Sequence, residues 1–157
     1  MAEGGEGGKV RLVIDASVAA KWIIPGEPWD EKARALKEAI AKGNVEAYAP
    51  VLILYELTSV IFKAVRNGVL SQQDGVDGLR EIGLLGVKLI QDSWENAGEM
   101  LEIAIRSGLT IYDSAYLLVS KRVGGTLVTA DVKLRDRGRA VTEVAALGDI
   151  ELPIGRR

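Results

Sequence analysis

Cysteine and histidine are both missing from this sequence. Without them there can be no disulfide framework, thiol nucleophile, histidine general base or His/Cys zinc site, so the Ser-His-Asp, Cys-His and zincin mechanisms all fall away. Hydrolytic chemistry, if any, is left to carboxylates, hydroxyls, Lys, Arg, Tyr, or a metal held by oxygen, for which Mg²⁺ and Mn²⁺ are the natural choices. Asn and Gln are also few, a depletion that points to a thermophilic source. No apolar stretch approaches the roughly 20 residues of a membrane span. Residues 1–8 lack the apolar core of a signal peptide and read as a flexible leader, so the default is a cytoplasmic protein with no membrane attachment.

What is present suits one globular domain. A chain of 157 residues with 48% hydrophobic residues and a mean hydropathy of +0.13 can hide about two-thirds of its unfolded surface without a disulfide. The domain is expected over 9–148, followed by a loose tail over 149–157. A net charge of −2 and a pI near 5.3 argue, as averages, against a nucleic-acid binder. Averages hide local distribution, however. If four of the 22 acids shared one metal site, the others would be outnumbered by the 20 basic residues.

The chain is organised around Val10 to Val18, where a short Val/Ile/Leu run stops at Asp15. Such a run reads as a strand buried on both faces of a parallel sheet. A helix follows over Val18 to Ile24, capped by Ser17 or Asp15 and ended by Pro25-Gly26. Further helices are expected over Pro28 to Ala41, Val51 to Arg66 after an opening Pro50, Gln72 to Leu85 behind a Ser71 cap, Ser93 to Ser107, Tyr112 to Lys121 and Val132 to Arg137. Gly75, Gly78 and Gly83 weigh against the helix over Gln72 to Leu85. Strands are expected over Val45 to Ala49, Gly86 to Ile90, Thr126 to Thr129 and Val141 to Ala145. Strands alternating with helices imply an α/β fold, a central parallel sheet with helices on both faces.

Four acids stand out because their surroundings are apolar. Asp15 and Asp131 each end an apolar strand where a helix begins, and a carboxylate there stands where open α/β sheets place their ligands. Alone, either could be a helix cap. Glu56 lies in a helix apolar almost all round, where an unpaired acid is expensive, so it calls for a partner that is either a basic side chain or a cation in a cleft. Asp113 sits near the start of a helix, where the dipole alone would favour it. If the two strands are neighbours, the acids converge, and crowded carboxylates call for protons or a hard divalent cation. Such an ion polarises a phosphate and delivers hydroxide, so phosphodiester hydrolysis is the natural assignment for a site without histidine.

These residues resemble a known family. Ile14-Asp15-Ala16-Ser17, Glu56 with its small and apolar followers, Tyr112-Asp113-Ser114-Ala115-Tyr116-Leu117, and Thr129-Ala130-Asp131 with Leu134 are similar, in this order and spacing, to PIN-domain ribonucleases, and most of all to the VapC-type toxins of toxin–antitoxin pairs. The likeness runs from about Lys9 to Ala145. It implies that Asp15, Glu56, Asp113 and Asp131 hold Mg²⁺ or Mn²⁺ and catalyse RNA cleavage, with Ser17 and Thr129 supporting the first and last acid. It also implies a homodimer silenced by a small cognate antitoxin, for which a basic side chain inserted among the four acids is the expected device. Where relatives often carry Asn, this sequence has Ser59.

Lys133, Arg135, Arg137 and Arg139 follow Asp131, and Lys21 lies one helical turn beyond Ser17. Singly they read as solvated residues, some paired with Asp136; as a group they could track RNA phosphates. Trp22, Trp29, Tyr48, Tyr55, Tyr112 and Tyr116 are expected in the core or at an interface rather than as platforms for bases. Two other classes compete with a nuclease. An aspartate-nucleophile phosphatase needs a second Asp two residues after the first, where Ser17 stands. A metal-binding interaction module of the same fold would use the acids only to hold a cation.

Overall fold

The computed structural model describes residues 8–26 and 28–152. Five strands, β1 (Val10–Ile14), β2 (Val45–Pro50), β3 (Lys88–Ile90), β4 (Thr126–Thr129) and β5 (Val144–Ala146), form one sheet in the order β3-β2-β1-β4-β5. Every neighbouring pair is parallel. Among the described residues seven α-helices connect them: α1 (Ala16–Ile23), α2 (Asp30–Ala41), α3 (Ile53–Arg66), α4 (Gln72–Leu85), α5 (Trp94–Ser107), α6 (Ile111–Val123) and α7 (Val132–Gly138). The predicted fold class is borne out.

The sheet order explains where a site can form. From β1 the chain moves outward through β2 to β3, then returns past both to β4 and continues to β5 on the other side. Right-handed crossovers therefore put α1 to α4 on one face and α5 to α7 on the other. The direction of winding reverses between β1 and β4, and that reversal leaves a crevice at their carboxyl ends. Both strands are buried there: Val13, Ile14, Leu127 and Val128 have no exposed surface. The Asp15 amide donates to the Val128 carbonyl at 3.1 Å and carries the pairing one residue past β1.

Helix α6 lies over β1, β2 and β4 with α5 outside it. Every residue from Ser114 to Ser120 is buried, which is why this helix has no polar face. Its two buried serines are satisfied locally, Ser114 by the Thr110 carbonyl at 2.9 Å and Ser120 by the Gly125 carbonyl at 2.6 Å. The glycines that weighed against α4 have a packing reason. A Cβ on Gly75 would meet Ile61 and one on Gly78 would meet Ile23, so their absence lets α4 close onto α3 and α1.

Several boundaries differ from expectation. Pro50 ends β2 instead of opening α3, and Val51 donates to the Ile90 carbonyl at 3.0 Å beside it. The last strand begins at Val144, not Val141, because the Val141 and Thr142 amides are both spent on the Gly138 carbonyl in a turn. Of the stretch read as a tail, Ile150 is buried and its carbonyl accepts from Lys32 Nζ at 2.6 Å, while residues 153–157 lie outside the described residues. The leader read over 1–8 also lies outside them except for Gly8. No helix among the described residues is long and apolar enough to cross a membrane.

Candidate active site

Two hydroxyls, the buried one of Thr129 and the half-buried one of Ser17, fix the central acid. Asp15 sits at the N-cap position of α1, yet neither it nor Ser17 caps that helix through its side chain. Instead Ser17 Oγ donates to Asp15 Oδ2 at 2.6 Å and Thr129 Oγ1 donates to the same oxygen at 2.7 Å. Backbone amides donate to both hydroxyls, Ala130 N–H to Ser17 Oγ at 3.0 Å and Asp131 N–H to Thr129 Oγ1 at 3.0 Å, while the ionised carboxylate can only accept. Each hydroxyl thus accepts from the loop after β4 and passes its own hydrogen to the carboxylate after β1. The two strand ends are locked together, and one Asp15 oxygen is oriented twice over.

Asp131 does cap a helix, accepting from the Lys133 amide at 2.8 Å and the Leu134 amide at 3.2 Å. Asp113 belongs to a capping box at the start of α6, its amide donating to Thr110 Oγ1 at 3.0 Å. Glu56 projects from the first turn of α3. Among the described residues its buried Oε1 has no hydrogen-bond partner, and neither has the buried hydroxyl of Tyr116. The four acids line one open cleft of about 530 Å³ together with Ala16, Ser17, Tyr55, Ser59, Lys63 and Tyr112.

The electrostatics follow from crowding and burial. Burial pushes the Asp15 carboxyl above the ordinary aspartate range; the Ser17 and Thr129 hydroxyls pull it down, and the Asp113 charge pushes it up again. Burial likewise raises Glu56, aided by Asp15 and Asp113, while the nearby Tyr116 phenol draws it down. The Tyr116 phenol is itself held well above the usual tyrosine range by burial and by the charges of Asp15 and Glu56. Among the described residues no three acidic side chains stand close enough to enclose an ion by themselves. The arrangement suits a hydrated Mg²⁺ or Mn²⁺, which keeps several waters and takes only one or two carboxylates directly. The orphaned Glu56 oxygen is the buried acceptor such a cation would satisfy.

The basic residues read from the sequence stand elsewhere. Lys21 donates to the Gly26 carbonyl at 3.1 Å, beside Asp30 and Arg34. Arg135 pairs with Asp136 at 2.8 Å, Arg137 donates to the Gly108 carbonyl and Arg139 to the Val144 carbonyl. Lys133 is exposed and adjoins Asp131. None of the five lines the cleft; Lys63 does. Trp22, Trp29, Tyr48 and Tyr116 pack in or against the core, whereas Tyr55 and Tyr112 lie outside it, exposed at the cleft. Each of those two precedes an acid on its helix, so turning the acid toward the cleft leaves its neighbour on the rim. Helical spacing held the missed signals: Tyr116 is three residues from Asp113 and Lys63 seven from Glu56, each on its acid's face.

A model of the PIN domain matches residues 12–140. Ribonuclease VapC3 of Pyrobaculum aerophilum is 29% identical over 129 residues, covering 82% of this chain and 95% of its own. PAE2754 from the same organism has a crystal structure that superposes with a TM-score of 0.66 at 24% identity, over 88% of this chain and 85% of that one. The structure of VapBC2 from Rickettsia felis, bound to a DNA fragment from their promoter, has a TM-score of 0.60 at 17% identity, over 87% of this chain and 98% of that one.

Proposed function

Because this chain belongs to the PIN-domain family, we propose that it is a divalent-metal-dependent endoribonuclease, the toxin of a toxin–antitoxin pair. The observation that carries the reading is the cleft at the reversal point of the sheet, lined by Asp15, Glu56, Asp113 and Asp131. The similarity to Ribonuclease VapC3 supports an RNA substrate. These acids would hold Mg²⁺ or Mn²⁺, which would lower the pKa of the attacking water and offset charge on the phosphate.

The chain's own residues do the rest. Asp15, held by Ser17 and Thr129, offers a carboxylate that need not reorganise when the substrate arrives. The Thr129 hydroxyl also receives the Asp131 amide, so the first and last acid keep one spacing. Glu56 would join Asp15 in holding that ion through its Oε1, which has no hydrogen-bond partner among the described residues. Asp113 adds the charge that draws a cation toward the other two. Lys133 meets RNA phosphates beyond the acids, and Lys21, Arg135 and Arg137 follow only if their present contacts are released.

Regulation follows from the same charge. A cleft lined by four acids and one lysine is blocked most directly by an arginine or lysine of a small antitoxin, and the likeness to VapBC2 supports a protein partner of that kind. Exposed Trp94, Leu101 and Ile105 on α5 support a homodimer, since apolar side chains spaced along one helix call for a cover. The protein acts in the cytoplasm, where its RNA is. The test is cleavage of single-stranded RNA, with a phosphomonoester as control. Cleavage should need Mg²⁺ or Mn²⁺, stop in EDTA and vanish in Asp15→Asn with the fold intact. Full activity in that variant would defeat the assignment.

A further inference from the structure

Tyr55 and Tyr112 are 73% and 60% exposed, yet both line the acidic cleft. They stand on separate elements, Tyr55 in the first turn of α3 and Tyr112 in the first turn of α6, each immediately before an acid of the site. Neither hydroxyl has a hydrogen-bond partner among the described residues, so nothing in the fold requires a tyrosine at either position. Water-exposed rings are normally unremarkable singly. Here two of them share one concavity with Asp15, Glu56, Asp113 and Asp131.

Lys63 is the third group. It lies seven residues beyond Glu56 on the same face of α3, about 10 Å along the helix axis, and lines the same cleft. Although acids line that cleft, Lys63 makes no ion pair among the described residues. Arg66 follows one turn later, its guanidinium 5.6 Å from the Phe62 ring, so the cationic line continues along α3.

We infer that Tyr55 and Tyr112 stack unpaired bases of the RNA beside the scissile phosphate while Lys63 holds a neighbouring phosphate. This rests on the ribonuclease reading above and adds to it the residues that position the strand. An aromatic face binds any unstacked base, whereas bases inside a helix are stacked on each other and closed to it. A strand of RNA answers all the groups at once: bases for the two rings, one phosphate for Lys63, and another for the ion held by the acids. The two rings are thus positioning residues for the strand, and Lys63 sets its path.

Binding is measured by fluorescence anisotropy with Mn²⁺ in the Asp15→Asn background, using a random-sequence single strand of RNA, the same strand annealed to its complement, and an abasic strand of equal length. Cleavage of the single strand and the duplex is measured with Asp15 in place. Tyr55→Ala and Tyr112→Ala should each weaken the base-bearing single strand roughly tenfold or more, leave the abasic strand unchanged, and erase the preference for single strand over duplex. Tyr55→Phe and Tyr112→Phe should behave as the parent, since the ring and not the hydroxyl does the stacking. Lys63→Ala should weaken base-bearing and abasic strands alike and lower the salt slope by about 0.7.

Unchanged affinity in both alanine variants overturns the inference while leaving the ribonuclease reading standing. So does a loss that falls equally on the abasic strand. A change of mass in light scattering, with RNA affinity per protomer intact, would make the rings a protein interface and overturn it as well. A parent protein that neither binds nor cuts RNA in Mn²⁺ removes the ribonuclease reading itself, and this inference with it.

Discussion

Glu56→Gln removes one charge from the cleft at nearly constant volume, and its effect can be worked out from the buried Oε1 that has no partner. Burial first, then Asp15 and Asp113, hold the Glu56 carboxyl above its ordinary value of 4.5. The folded protein therefore binds more protons than the unfolded chain once pH passes that value. Stability of the metal-free protein must fall as pH rises through the window that opens there and closes at the folded pKa. Asp15, raised in the same direction, adds to the slope. Glutamine carries no charge at any of these pH values, and its amide can donate to the orphaned Tyr116 oxygen. A fully buried unpaired charge costs several kcal/mol, but Glu56 is only partly buried, so about 1 kcal/mol is the fair expectation. That raises the midpoint by roughly 2 to 4 °C for a domain of this size. The assay is thermal melting followed by circular dichroism, with EDTA or with Mg²⁺, from pH 4.5 to 8. In EDTA at neutral pH the variant should melt higher than the parent, the two should converge toward pH 4.5, and added Mg²⁺ should stabilise the parent more. A variant that melts lower in EDTA, or a gap that ignores pH, would refute the reasoning.

Thr129→Val deletes the hydroxyl that gives to Asp15 and accepts from the Asp131 amide; leaving those groups unsatisfied should cost about 2 kcal/mol. The same variant should move the acid limb of the cleavage pH profile upward, since a hydrogen bond that lowers the Asp15 pKa is gone; an unmoved limb would separate Asp15 from the rate. Asp131→Ala should lose about 1 kcal/mol with its helix cap, measured by urea unfolding. Asp131→Asn keeps an acceptor for the Lys133 and Leu134 amides, so it should be stable but inactive, and wild-type cleavage by it would leave Asp131 a cap alone.

Much of the fold was legible because its two central strands, β1 and β4, are short apolar runs with an acid close behind each. Val10 to Ile14 and Thr126 to Thr129 match β1 and β4, and each stops at or just before an acid that a buried sheet would not tolerate in its interior. What periodicity could not supply was adjacency. Nothing local in either segment says that β1 and β4 are neighbours, a fact that depends on the long return from β3. The misplaced last strand has the same origin: Val141 looks like a strand residue, and only the Gly138 carbonyl taking two amides shows why the chain is still turning there.

The site divides along a similar line. Acids on apolar elements are conspicuous, because each violates the local pattern and needs a cause outside its own segment. Residues that obey the pattern conceal themselves. Tyr116 reads as core, and its ring is core, while its hydroxyl faces Asp15 and Glu56 across the buried floor. Lys63 reads as an ordinary lysine in the last turn of a helix, where the dipole favours it, until α3 is laid along the crevice. The basic run after Asp131 errs the other way: its charge is plain, but three of its four members are turned to Asp136 or to backbone carbonyls. A charge count gives the number of cations available to a polyanion, and only the packing of α3 and α7 decides which of them face it.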